Sequence, residues 1–122
     1  MLFSESLRKT KDFRSVYQQG RSKAGRGLVM YVLSNKETVV RQDPINRVGF
    51  SVSKKIGNSV VRHKLIRRLR ECYRLNEKRM ERGFDIVVVV RPGAREMSFP
   101  ELERALLNLA ERQKITHEVS DH

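Results

Sequence analysis

The chain has no tryptophan and a single cysteine, Cys72. One thiol forms no intramolecular disulfide, so the core alone has to hold the fold. Apolar residues at helical spacing around Cys72 read it as a small core side chain rather than a reactive thiol. No apolar run approaches the roughly 18 residues that a membrane span needs, and the opening MLFSESLRKTKDF lacks an uninterrupted apolar stretch. The expectation is a soluble, cytoplasmic protein with no membrane partner. Acidic residues are also scarce: 14 against 26 Lys and Arg, for a formal net charge of +12. That excess suits a polyanion, nucleic acid before an anionic membrane surface. A protein nuclease needs an acid with a base, or clustered carboxylates around metal. Of the histidines, His63, His117 and His122, none shows HxxxH or HExxH spacing, and the acids are scattered. Neither protein catalytic residues nor a tightly held metal on the protein is expected.

What is present fits one domain over residues 1–122. Thr10 is a candidate cap for a short helix through Gln19, with Phe13, Val16 and Tyr17 on one face and Gly20 as a C′ stop. GRSKAGRG reads as a basic loop, with room for one extra short strand near 21–27. LVMYVLS at 28–34 reads as a strand, and Gln42, Asp43 and Pro44 with Asn46 mark a turn. RVGFSVS then alternates, with Val48, Phe50 and Val52 on a core face and Gly49, Ser51 and Ser53 on a small, polar one. Asn58 or Ser59 caps a long helix expected to run to about Arg82 and stop at Gly83. DIVVVV at 85–90 is a buried strand, closed by Arg91, Pro92 and Gly93. Ser98 and Glu101 form a capping box for a last helix whose Leu102, Ala105, Leu106 and Leu109 face the core. Residues from about 116 are polar and expected to fray. The fold class is α+β: a two-layer α/β sandwich, a mixed sheet with helices packed on it, in the order α-β-β-α-β-α.

The long helix separates by angle at about 100° per residue. Val61, Leu65, Leu69 and Cys72 fall together with Tyr73 at their edge, while His63, Arg67, Arg70 and Arg74 form a row elsewhere, flanked by Lys64. A solvated helix face interleaves signs, because like charges at i, i+4 repel. From Lys54 to Arg82, eleven Lys or Arg face only Glu71, Glu77 and Glu81, so this segment carries +8 of the net +12. Phosphate binding is the better reading. Lys54, Lys55, Ile56, Gly57 and Asn58 lead from a strand into the helix N-terminus, which favours anions, although the spacing of a Walker loop is absent. Phe13, Tyr17 and Tyr31 either anchor the first helix in the core or border a groove floored by Ser51 and Ser53. Such a groove suits single-stranded nucleic acid, where stacking is worth about 1–3 kcal/mol per base.

Four segments carry a family resemblance: DFRSVYQQG at 12–20, VMYVL at 29–33, RVGFSVSKKIGNSVVRHKLIRRLRE at 47–71 and FDIVVVVRPGA at 84–94. In this order they resemble the protein component of bacterial ribonuclease P over nearly the whole chain. The resemblance implies a ribonucleoprotein that removes the 5′ leader from precursor tRNA by phosphodiester hydrolysis. The catalytic RNA and its Mg²⁺ carry the chemistry, and the protein binds that RNA and the leader. It implies an RNA-subunit face of Lys54, Lys55, Arg62, Arg67 and Arg70, which the angular reading extends to His63, Lys64 and Arg74. It also implies a leader cleft lined by Phe13, Tyr17, Tyr31 and Ser51, with Ser53 beside them, and a left-handed βαβ crossover. Arg62, His63 and Lys64 stand where the family usually has Arg-Asn-Arg, and Ile66 occupies a commonly basic position. Lysine lacks the bidentate fork of arginine and histidine lacks the amide's paired donor and acceptor, so His63 is expected to contact RNA better when protonated. The main alternative is a ribosomal or RNA-assembly protein with no part in cleavage. A DNA-binding module is disfavoured because the basic helix has no turn-helix partner, and a stand-alone ribonuclease because catalytic groups are missing.

Overall fold

The computed structural model describes residues 1–36 and 43–118. In chain order it has β1 (Ser4–Ser6), α1 (Thr10–Gln19), β2 (Arg21–Ala24), β3 (Leu28–Ser34), β4 (Asn46–Ser51), α2 (Ser59–Asn76), β5 (Phe84–Val90) and α3 (Phe99–Arg112), with 3₁₀ turns at Glu77–Arg79 and Pro92–Glu96. The strands form one mixed sheet in the order β1-β4-β5-β3-β2. β3 runs antiparallel to β5 from Leu28↔Val90 to Ser34↔Phe84, and β4 runs parallel to β5 from Arg47↔Asp85 to Ser51↔Val89. The expected α+β architecture is therefore present.

Strand parity divides the apolar residues between two faces. Leu28, Met30, Val32, Val48, Ile86, Val88 and Val90 pack with Leu65, Leu69, Cys72 and Tyr73 of α2 and Leu102, Leu106, Leu109 and Ala110 of α3. On the opposite face, Val16 of α1 packs with Leu7 and Val87, bordered by Phe13, Tyr31, Leu33 and Val89. β5 is central and covered on both sides, which is why its sequence is a continuous apolar run rather than an alternation.

Several boundaries differ from expectation, each for a local reason. β1 is an additional strand, too short and polar to show a pattern; it pairs in parallel with β4. β2 lies within the glycine-rich stretch near 21–27, and as an exposed edge strand it has no buried face to produce alternation. Lys9, not Thr10, occupies the N-cap of α1, without a side-chain hydrogen bond. Gly20 is extended (φ −77°, ψ 161°) rather than left-handed, and a Cβ there would lie 2.5 Å from the Val16 carbonyl oxygen. Close approach therefore explains that glycine. α2 stops at Asn76 rather than near Arg82: the Asn76 amide turns back to the Cys72 carbonyl (2.8 Å) and to Glu103 (3.0 Å), and a 3₁₀ turn follows. Gly83, at φ 101°, instead lies just before β5, its amide donating to the Ile45 carbonyl at 3.1 Å. Thr116 bridges Met80, and the His117 amide donates to the Arg79 carbonyl at 2.8 Å; the rest of the tail expected to fray, 119–122, lies outside the described residues. Gln42 and His122 lie outside the described residues.

Candidate nucleic-acid interface

β4 and α2 are joined by a basic turn whose shape is set from within. Ile56 is buried and its amide donates to the Ser53 carbonyl at 3.1 Å, leaving Lys54 and Lys55 exposed on the outside. Asn58 caps α2, its side-chain oxygen accepting from the Val61 amide at 3.0 Å. No acid lies in that first turn, whose free N–H groups favour anions.

Leu65, Leu69, Cys72 and Tyr73 hold α2 on the core and leave His63, Arg67, Arg70 and Arg74 exposed. These four line an open groove of about 500 Å³, completed by Met1, Ile66 and Glu71. Arg74 is not a free donor as the row reading expected. Its Nη2 and Nε donate to Glu71 at 2.6 and 2.9 Å, which raises the guanidinium pKa and holds the Glu71 carboxyl below its ordinary value. Among the described residues, Arg67 and Arg70 of the groove make no ion pair. Arg62 is half-buried, and its Nε is enclosed without a hydrogen-bond partner. Lys64 is exposed but lies outside the groove.

The aromatic residues meet on the other face of the sheet. Tyr31, Val87 and Gly49 form one rung across β3, β5 and β4, and Val29, Val89 and Ser51 form the next. α1 covers the first rung. Phe13 lies directly over Gly49, where a Cβ would come within 2.4 Å of the ring. Tyr17 stands edge-on to Tyr31 at 5.0 Å and 85°, and 6.4 Å from Phe13. The second rung stays partly exposed beside this aromatic wall and forms a floor. Ser53 lies beyond the end of β4, where the chain has already turned toward Lys54.

Sequence reasoning did not find what fixes the wall. Arg47 of β4 donates from Nε and Nη2 to the buried Asp85 carboxylate (2.8 and 2.5 Å) and from Nη1 to Asp12 of α1 at 3.3 Å. The hydrogen bond to Asp85 raises the Arg47 pKa despite partial burial. α1 is thereby tied to the centre of the sheet. The signal for Gly49 was available as the smallest residue on the polar side of an alternating strand. Nothing local pairs residues 12, 47 and 85.

The basic helix and the aromatic cleft occupy a chain whose residues 1–114 match the family model Ribonuclease P. The chain belongs to the ribonuclease P protein family. It is 44% identical over 115 residues to the ribonuclease P protein component of Alkaliphilus metalliredigens, covering 94% of this chain and 98% of that one. Identity to the component from Lachnoclostridium phytofermentans is 47% over 112 residues, covering 92% and 91%. Among solved structures, the Staphylococcus aureus RNase P protein superposes with a TM-score of 0.81 at 32% identity, covering 92% of this chain and 97% of that one. The Thermotoga maritima RNase P protein gives 0.77 at 31%, covering 88% and 96%. Membership makes the chain a protein subunit of a ribonucleoprotein endoribonuclease, and the reading as an unrelated RNA-assembly protein is not favoured. Among the described residues, no helix is long and apolar enough to cross a membrane.

Proposed function

We propose that this ribonuclease P protein holds two RNA segments at once in the cytoplasm: the catalytic RNA on α2, and the single-stranded 5′ leader of precursor tRNA in the cleft beside α1. The observation that supports this most is the separation of two unlike surfaces by one sheet. The basic row belongs to the α2 face and the aromatic wall to the α1 face. Ser53, Lys54 and Lys55 connect them at one end. Arg67 and Arg70, with Arg62, His63 and Lys64 around them, neutralise phosphates of the RNA subunit, and Arg74 contributes after exchanging its Glu71 partner. Phe13, Tyr17 and Tyr31 offer ring faces and edges for unpaired bases, while Ser51 and Ser53 offer hydroxyls to the leader backbone.

Leader hydrolysis is assigned to the RNA subunit and its Mg²⁺. Among the described residues, no three His, Cys, Asp or Glu are gathered as a metal site. The protein's part is to increase the affinity and alignment of the substrate.

Separation of function tests the proposal. The Arg67→Ala/Arg70→Ala variant is expected to weaken assembly with the RNA subunit and to flatten its salt dependence. Tyr17→Ala is expected to leave assembly intact and to weaken binding of precursor tRNA relative to leaderless tRNA. Loss of both functions in both variants, with folding intact, would refute the two-surface arrangement. His63→Ala is expected to weaken assembly less than the double arginine change, since His63 only borders the Arg67 and Arg70 pair in the groove. Unchanged affinity in His63→Ala would remove His63 from the interface.

A further inference from the structure

Beyond the row just described, α2 carries cations on its other flank. At 100° per residue, Lys64 and Arg68 lie across the exposed ridge from Arg70 and His63. They line a shallow depression of about 140 Å³ with Val61, Leu65 and Arg95. Arg95 comes from a different element, the 3₁₀ turn after β5, and that turn is firmly held. Ala94 and Met97 on either side of Arg95 are buried, and their amides donate to the Arg91 and Ala94 carbonyls at 3.0 and 3.1 Å. Arg95 itself is exposed and Arg68 half-buried. No acid lines the depression, and among the described residues none of the three cations makes an ion pair. Elsewhere, exposed arginines near acids have found them: Arg26 pairs with Glu101 and Arg74 with Glu71.

We propose that Lys64, Arg68 and Arg95 form a second seat for one backbone phosphate of the RNA subunit, so that the RNA crosses the ridge of α2 and reaches the turn before α3. Three cations from two elements line one depression together with the apolar Val61 and Leu65. One bridging phosphate relieves their mutual repulsion, and guanidinium groups match its geometry. The seat rests on the reading of α2 as the RNA-subunit face, because it is continuous with that helix.

The test is the salt dependence of assembly between the full-length protein and its ribonuclease P RNA, measured as log affinity against log KCl. One phosphate is worth about 0.7–0.9 in slope. Arg68→Ala/Arg95→Ala is expected to flatten the slope by that amount, each single change by most of it, and Arg68→Lys/Arg95→Lys to keep it. Thermal melts confirm folding, and the exposed Arg95→Glu provides a variant that leaves the core untouched. A double-variant change twice as large would overturn the single seat in favour of two separate contacts. An unchanged slope would overturn the seat alone if Arg67→Ala/Arg70→Ala still flattens it; if neither does, the RNA-face reading fails with it. A change confined to precursor tRNA binding by the holoenzyme would overturn the assignment to the RNA subunit.

Discussion

Replacing Gly49 by alanine probes the cleft without altering any side chain assigned to RNA binding. The new Cβ would lie 2.4 Å from Phe13 Cζ and 2.8 Å from Cε1, with Leu7 Cβ at 3.3 Å on its other side. Ordinary carbon contacts begin near 3.5 Å, so the ring must retreat by about 1 Å or more. Overpacking of this kind costs about 1–3 kcal/mol, which for a chain of this size lowers the melting temperature by roughly 4 °C per kcal/mol. Phe13 lies 6.4 Å from Tyr17, itself edge-on to Tyr31. Displacing Phe13 is expected to disturb the aromatic wall. If one base loses its stacking partner, about 1–3 kcal/mol of leader binding disappears, a factor of about 5–150. Holoenzyme carrying Gly49→Ala should lose that factor for leader-bearing precursor tRNA while its affinity for leaderless tRNA and its assembly with the RNA subunit stay unchanged. Adding Phe13→Leu should restore the melting temperature without restoring leader discrimination. Unchanged discrimination in a variant whose melting temperature has fallen would show that Phe13 and Tyr17 do not form the leader site.

Other parts of the structure give independent expectations. Burial pushes the Glu77 carboxyl up, but hydrogen bonds from Ser4 and from the Leu2 and Phe3 amides outweigh it, aided by the terminal amine, and hold it below its ordinary value. A depressed carboxylate contributes stability above its unfolded pKa, near 4.3, that is lost as pH falls through the folded one; acid melts should therefore show a drop below about pH 4 that is smaller in Glu77→Gln, and an equal drop would refute the linkage. Arg47→Met leaves the buried Asp85 with Asn35 but without its cation. A loss of about 3 kcal/mol is expected in urea unfolding, and a loss under 1 kcal/mol would contradict the role given to this pair. Burial, reinforced by Glu103, pushes the Cys72 thiol up to about 11, so alkylation at pH 8 should require unfolding, and rapid labelling of the folded protein would contradict its placement in the core.

Elements whose cause is local were readable in the chain. The Ser98–Glu101 capping box, the continuous apolar β5 and the Leu65, Leu69, Cys72 stripe each announce themselves within one or two turns of sequence. Elements whose cause is distant were not. β1 exists because its neighbours bond to β4: the Asn46 amide donates to the Phe3 carbonyl and the Leu7 amide to the Val48 carbonyl. α2 ends early because Asn76 finds both its own helix and Glu103 of α3. For the site, residue types and faces were legible, but occupancy was not: Arg74 shares the angular row and is already paired with Glu71. That i, i+3 spacing is present in the sequence, but net charge counted over the helix does not show which arginine Glu71 takes. Phe13 over Gly49 joins residues 36 positions apart, and only the sheet brings them together.

We propose that the protein supplies binding surfaces while the RNA supplies the chemistry. Cleavage of precursor tRNA by ribonuclease P RNA at low Mg²⁺, measured with and without the purified protein, decides between this division of labour and a catalytic protein. Leader removal should be weak with RNA alone, strongly enhanced by the protein, and absent with protein alone. No enhancement, or cleavage by the protein without RNA, would overturn it.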